Sequence, residues 1–143
     1  GAVRYRFTGP MGRASICHCR MCQKAFGSFG APLVSVPLSA FSWTRGAPGI
    51  FRSSAPVARG FCAACGTPLF MLEDGHPDIE LAIGTLDDPN AVTLEGQVGV
   101  ESKLAWFDGM PQLPPETTDQ NNPAAARLYH TRQHPDHDTE QWP

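Results

Sequence analysis

Residues 15–24 of the 143-residue chain read SICHCRMCQK and place three of its five cysteines, Cys17, Cys19 and Cys22, within six positions. Three thiols this close can bind one metal ion with a ligand position left open, can form part of a closed four-cysteine site, or can be halves of disulfides. The chain has no apolar run of the ~20 residues that a membrane helix needs, and residues 1–30 lack the apolar region of a signal peptide. We therefore expect a cytoplasmic protein, in which clustered cysteines favour metal or redox chemistry over structural disulfides.

The residues around this cluster predict a mainly β domain with short helices. Alternating apolar and polar side chains predict strands over residues 3–7 and 14–16, and residues 20–26 predict one or two helical turns that end at Gly27. Further short apolar runs predict strands over residues 31–36, 41–43, 50–53, 57–61, 69–72, 79–83 and 97–100. Because glycine and proline separate these runs at the spacing of an all-β domain, we expect antiparallel β-sheets joined by metal-binding turns.

The apolar residues that could form a core end near residue 115. Of the 29 Leu, Ile, Val and Phe residues, only Leu128 follows that position. We therefore predict a folded domain over residues 1–115 and a polar tail over residues 116–143. Pro123 and the three alanines after it predict a helix over residues 123–133, and we expect the tail histidines, His130, His134 and His137, to face solvent.

Charge is unevenly distributed along the chain. The formal net charge is −3, so the chain does not resemble the strongly basic domains that typically bind nucleic acid. No acidic residue precedes Glu73, so residues 1–72 carry a formal charge of +8 and residues 73–143 carry −11. Surface pairing between the two parts of the chain accounts for this pattern most simply. Alternatively, Arg20 and Lys24 beside the cysteine cluster attract an anionic ligand.

The remaining cysteines, Cys62 and Cys65, form a second motif, FCAACGTPLF, at residues 61–70. A Cys-x2-Cys pair followed by glycine is typical of a zinc-binding turn, in which Gly66 adopts the conformation that closes the turn. A redox dithiol has the same spacing, but it needs a long helix after the pair, and Thr67-Pro68 excludes one. The pair is therefore interpreted as metal-binding.

Spacing alone leaves two zinc arrangements open. In the first, Cys19 and Cys22 combine with Cys62 and Cys65 in a closed, purely structural four-cysteine site, which leaves Cys17 unused. In the second, Cys17, Cys19 and Cys22 bind zinc by themselves, and the fourth position accepts water or a substrate thiol, as in catalytic zinc sites. His18, which alternates with the cysteines along an extended segment, is expected to point away from the metal.

Several spaced motifs together resemble a known family. The stretches GAVRY, CHCRMCQK, FCAACGTPLF and KLAWFDGMPQLP occur in this order over residues 1 to about 115. They resemble the glutathione-dependent formaldehyde-activating enzyme family, whose domain also occurs in centromere protein V. The resemblance implies an Mss4-like fold of coiled antiparallel β-sheets with two zinc sites.

The resemblance also implies roles for all five cysteines. Cys17, Cys19 and Cys22 correspond to the ligands of a catalytic zinc, and Cys62 and Cys65 to two ligands of a structural zinc. Family members carry a further Cys-x-Cys just before the GAVRY stretch, whereas the sequence given starts with that stretch. In the sequence as given, the structural site therefore lacks half of its ligands: either the N-terminus has been trimmed or misassigned, or Cys62 and Cys65 recruit other ligands, or this member has lost the site. The closed four-cysteine arrangement also stays open as an alternative.

The function that follows from the resemblance is that of a carbon-sulfur lyase. Zinc held by the first cysteine cluster is expected to activate a thiol, such as glutathione, for addition to formaldehyde or another small carbonyl compound. Arg20 or Lys24 is expected to receive a substrate carboxylate, and neither nucleic acid nor membrane is expected as a partner. The alternative is a non-catalytic, zinc-stabilised binding module with a closed four-cysteine site.

Overall fold

The computed structural model describes residues 1–126, 128 and 130–141, and these residues form a mainly β structure. Its strands are β1 (Arg4–Phe7), β2 (Ala14–Cys17), β3 (Ala31–Pro37), β4 (Phe41–Arg45), β5 (Gly49–Arg52), β6 (Val57–Phe61), β7 (Pro68–Glu73), β8 (Asp78–Ala82) and β9 (Gly96–Val98). Its α-helices are α1 (Arg20–Phe26), α2 (Thr118–Asn121) and α3 (Pro123–Ala126). The prediction of a mainly β fold with short helices is confirmed.

The strands form two sheets. Strands β1 and β4 pair as a two-stranded antiparallel ribbon, and the other strands form a seven-stranded sheet in the order β5-β6-β7-β8-β3-β2-β9. Every pair in the larger sheet is antiparallel except β9 with β2, which is parallel and places Val98 opposite Cys17. Strand β9 also ends earlier than predicted, because Val100–Ser102 form a 3-10 turn. This pairing brings β9 alongside the cysteine cluster.

The larger sheet separates two apolar layers. Alternate residues of a strand point to opposite faces, and β3 is buried on both of them. Val34 and Val36 belong to the main core, against which the ribbon of β1 and β4 packs. Ala31 and Leu33 face the other side and pack in a smaller cluster with Cys22 of α1. The cysteine cluster therefore lies on the face of the sheet opposite the ribbon.

The end of the chain differs from the prediction in two respects. Helix α3 spans Pro123–Ala126 and residues 130–133 are not helical, whereas the helix was predicted to reach residue 133; residues 127 and 129 lie outside the described part of the chain. A helix of only a few residues is marginal in water unless tertiary packing stabilises it. His130 and His137 are exposed as expected, but His134 is half-buried, with Nδ1 3.2 Å from Arg4 NH1. The tail therefore returns to β1.

Candidate metal centre

A tight junction between β2 and α1 positions the first cysteine cluster. Strand β2 ends at Cys17, and Cys19 caps the N-terminus of α1, where its Sγ accepts a hydrogen bond from the Cys22 N–H at 3.4 Å. The helix ends at Gly27, which adopts a left-handed conformation with φ 56°. One cysteine thus comes from the strand, one from the cap and one from the first helical turn.

The sulfur atoms of Cys17, Cys19 and Cys22 all lie within 4.8 Å of one another, and we call these residues the three-sulfur cluster. Thiolates bound tetrahedrally to zinc lie about 3.8 Å apart, given a Zn–S distance near 2.3 Å. A small closure of the cluster would therefore fit a zinc ion. The cluster can hold a metal ion with three protein ligands, and a tetrahedral ion bound in this way keeps its fourth position for an external ligand.

Cys62 and Cys65 do not join this cluster. Cys62 is buried in the main core on the ribbon side of the sheet, whereas Cys65 is exposed. Across residues 1–126, 128 and 130–141, no group of three or more possible metal ligands contains either residue. The closed four-cysteine site that spacing had left open is therefore not formed.

The second cysteine pair nevertheless has the shape of a metal-binding turn. The Gly66 N–H donates to the carbonyl of Cys62 at 2.7 Å, and Gly66 has a φ of 79°. The hydroxyl of Thr67 lies 3.1 Å from Cys65 Sγ and lowers the pKa of that thiol. Metal binding by this pair stays a prediction.

The environment of the three-sulfur cluster perturbs the ionisation of all its thiols. Burial raises the pKa of Cys17 to about 12. Burial also raises the pKa of Cys22, against the opposing effect of the Arg59 guanidinium. Burial acts in the same direction on Cys19, but hydrogen bonds, led by that from the Cys22 N–H, outweigh it and lower the pKa. In the absence of a cation at least two of these thiols are protonated at neutral pH, so a bound metal must displace their protons.

Hydrogen bonds hold both the backbone and the ring of His18, which lies between Cys17 and Cys19 of the cluster. Its N–H donates to the Val98 carbonyl at 2.8 Å, and its carbonyl accepts from Gln23 Nε2 at 2.6 Å. Its ring nitrogen Nε2 hydrogen-bonds with Gln97 Oε1 at 3.0 Å. His18 is fully buried and is not a member of the three-sulfur cluster; that it is not a ligand stays a prediction.

Arg59 on β6 contacts the cluster, and our sequence interpretation missed it. Its NH2 donates to Cys22 Sγ at 3.4 Å and its Nε to Ser53 Oγ at 3.0 Å, while only 6% of the residue is exposed. The sequence did contain one signal that Arg59 is buried. Because alternate residues of a strand share a face, Arg59 lies on the same face of β6 as the apolar Val57. A basic residue at such a position needs an acceptor or an anion inside the protein.

The two basic residues that we did select, Arg20 and Lys24, are both exposed on α1. Arg20 donates a hydrogen bond to Gln23 Oε1. Both residues flank the cluster along the helix, and an anionic ligand bound there stays a prediction.

Aromatic side chains lie beside the cluster. The ring of Phe107 packs edge-on against His18 with centroids 4.6 Å apart, and Phe29 lies 5.4 Å from Phe107. The ring centroids of Trp106 and Phe29 are 6.3 Å apart, and Trp106 is 56% exposed. These rings, two of them from the KLAWFDGMPQLP stretch, form an apolar group beside His18, which lies between Cys17 and Cys19 in the sequence.

A cavity of about 610 Å³ lies elsewhere, between the β1–β4 ribbon and the tail. Arg4, Tyr5, Asp87 and both cysteines of the second pair contribute to its lining, and no member of the three-sulfur cluster does. We do not select this cavity as the candidate reactive site, because the three cysteines that could hold a metal ion lie on the opposite face of the sheet.

Comparison with known proteins identifies the family. The sequence model described as glutathione-dependent formaldehyde-activating enzyme matches residues 1–102. The chain belongs to this family. The match of the formaldehyde-activating family includes all five cysteines and confirms the resemblance seen in the sequence motifs.

A solved structure supports the fold. The crystal structure of a Rhodobacter sphaeroides protein is similar with a TM-score of 0.55 and 20% sequence identity, over 68% of this chain and 94% of that chain. A search of curated proteins found no match. Within the described part of the chain, no helix has both the length and the apolar character needed to cross a membrane.

Proposed function

We propose that the protein is a zinc-dependent carbon-sulfur lyase that adds a small thiol, glutathione or a similar compound, to formaldehyde or another small carbonyl compound. The observation that carries this proposal is the three-sulfur cluster, which supplies three metal ligands in a chain of the formaldehyde-activating family. A zinc site with three protein ligands is typical of catalysis, whereas structural sites are closed by four.

The proposed reaction joins two molecules without oxidation or reduction. The sulfur of the thiol forms a bond to the carbonyl carbon, the C=O double bond becomes a single bond, and the proton of the thiol ends on the oxygen. Zinc bound to the cluster would favour the thiolate form of the substrate at neutral pH and polarise the carbonyl group. The chain itself supplies the hydrogen bonds that hold the loop around His18 and the aromatic ring of Phe107 that packs against it.

Arg20 and Lys24 are proposed to bind a carboxylate of the thiol substrate. Both are exposed on the helix that carries Cys22, so they can reach a ligand without displacing core residues. Replacing each with Ala should raise KM for glutathione and leave kcat unchanged, because the interaction forms equally in the ground and transition states. An unchanged KM in both variants would remove this role.

Three further features belong to the proposal. Residues 1–115 form the catalytic domain, and residues 116–143 are an appended tail. Cys62 and Cys65 provide two ligands to a second, structural zinc. The reaction takes place in the cytoplasm, where the substrate thiol and the cysteine ligands stay reduced.

The deciding experiment compares Cys17→Ser with Ser42→Ala. Zinc content is measured in purified, reloaded protein, and the rate of thiol addition is measured by exchange NMR with ¹³C-labelled formaldehyde and glutathione. Cys17→Ser should lose the zinc of the three-sulfur cluster and the rate acceleration. Ser42→Ala, which changes an exposed residue of β4 away from all five cysteines, should keep both.

Two outcomes would contradict the proposal. Full retention of zinc in Cys17→Ser would show that this residue is not a ligand. Wild-type protein that binds zinc at the cluster but does not accelerate the reaction would instead support the non-catalytic binding module.

A further inference from the structure

The geometry points to Arg59 as the counter-ion of the metal-bound three-sulfur cluster, a positioning residue that acts through Cys22. This inference rests on the proposed function only in requiring that the cluster bind a divalent metal. It goes further because it assigns the charge balance of the centre to a residue on β6, 37 positions away from Cys22 in the sequence.

Arg59 lacks the partners that normally accompany a buried guanidinium. Its Nε donates to the uncharged hydroxyl of Ser53. Its NH1 is buried without any hydrogen-bond partner among the described residues. The ion pairs formed within this part of the chain involve Arg4, Arg6, Arg52 and Lys103, and none includes Arg59. A buried arginine without a counter-charge is costly, since its solvation by water is lost.

The sulfur that Arg59 contacts belongs to the group that becomes anionic when metal binds. Three thiolates on a divalent ion carry a net charge of −1, which the guanidinium balances. Cys22 is also the buried member of the cluster, so its sulfur gains most from a charged donor in a region of low dielectric constant.

This arrangement predicts effects on the metal as well as on the fold. Groups that hydrogen-bond to metal ligands typically change metal affinity by about 10- to 100-fold when they are removed. Loss of the positive charge and of the N–H···S bond should also raise the energy of the sulfur lone pairs. Charge transfer from thiolate to a bound cobalt ion would then need less energy, and its absorption band would move to longer wavelength.

The experiment measures zinc affinity by competition with a chromophoric chelator, and the thiolate-to-cobalt band in Co²⁺-loaded protein. Arg59→Met removes the charge, and Arg59→Lys keeps it. Arg52→Met is the matched control, since it removes the same charge from neighbouring strand β5, where the side chain is half-exposed and paired with Asp74 at 2.7 Å. Circular dichroism checks the fold of each variant.

We expect Arg59→Met to bind zinc about 10- to 100-fold more weakly than wild type and to shift the cobalt band to longer wavelength. Arg59→Lys should bind zinc more tightly than Arg59→Met, and Arg52→Met should match wild type. Equal zinc affinity and an unchanged band in Arg59→Met and Arg52→Met would overturn the assignment.

Two measurements keep the test decisive if Arg59→Met does not fold. Arg59→Gln, which is neutral but polar, replaces it in the comparison. In wild-type protein, zinc should shift the guanidinium ¹⁵N resonances of Arg59 and leave those of Arg52 in place; no shift at Arg59 contradicts the inference. The variants could differ in zinc affinity as expected while the wild-type protein does not accelerate thiol addition. That result would refute the proposed reaction but support the counter-ion role of Arg59.

Discussion

Gln23 offers the most direct test of how the structure supports its candidate metal centre. The residue is 3% exposed, and its side-chain amide donates to two carbonyls, that of His18 at 2.6 Å and that of Ser102 at 2.8 Å. It thereby ties helix α1 both to the loop around His18 and to the segment that follows β9. Gln23→Met keeps the size of the side chain and removes both of these hydrogen bonds, together with the one that the exposed Arg20 donates to Gln23 Oε1.

The cost can be worked from these contacts. The carbonyl of His18 belongs to a fully buried residue, and leaving a buried acceptor unsatisfied costs about 2 kcal/mol. Ser102 is only half-buried, so water can replace part of its bond, and the loss is about 1 kcal/mol. The sum, about 3 kcal/mol, should lower the urea midpoint by about 1 to 2 M for an m value of about 2 kcal/mol/M.

The assay is urea unfolding with a chelator present, so that metal binding does not contribute to stability. Gln23→Glu should be less stable than Gln23→Met at neutral pH, because its carboxylate would face two carbonyl oxygens, and acid should narrow the difference by restoring one donor. Gln133→Met, at an exposed glutamine, should stay within about 0.5 kcal/mol of wild type. A Gln23→Met protein as stable as Gln133→Met would refute the reasoning.

Four other perturbations have defined outcomes. Gly60→Ala should cost about 1 to 3 kcal/mol in thermal unfolding, since its methyl would lie 1.9 Å from the buried ring of Phe70; Gly49→Ala, where the methyl meets the end of a partly exposed ring, should cost less. Asp87→Asn should destabilise the protein by up to about 1 kcal/mol at neutral pH. Because its arginine partner lowers the pKa of Asp87 in the folded state below the ordinary 3.8, this difference should vanish as pH falls through the lowered value. Zinc affinity, measured by chelator competition, should fall from about pH 8 to about pH 6, since protons compete for the thiols of the cluster; a pH-independent affinity would contradict thiolate ligation. Truncation after Pro115 should preserve cooperative unfolding and cost at most about 2 kcal/mol, because His134 and Asp138, among the described tail residues, contact β1 through ion pairs and a hydrogen bond at the surface; non-cooperative unfolding would show that the boundary is misplaced.

The local structure around the candidate site followed from the sequence because its signals are local. The predicted bounds of α1 agree with the structure, since Cys19 is a cap whose sulfur can accept a helix N–H and Gly27 allows a left-handed end. The strands were predicted within one or two residues, because alternation and the separating glycines depend only on neighbouring positions. The family also followed from motifs that lie at fixed spacings.

What distant segments do was decided by the tertiary structure alone. A period of two shows which residues of a strand share a face, but it does not show which face of the sheet that is. For this reason spacing could not separate Cys62 from the cluster, and only the packing placed it in the core on the ribbon side. The contact of Arg59 with Cys22 and the parallel pairing of β9 likewise depend on strand order, which is set by the burial of apolar surface over the whole chain.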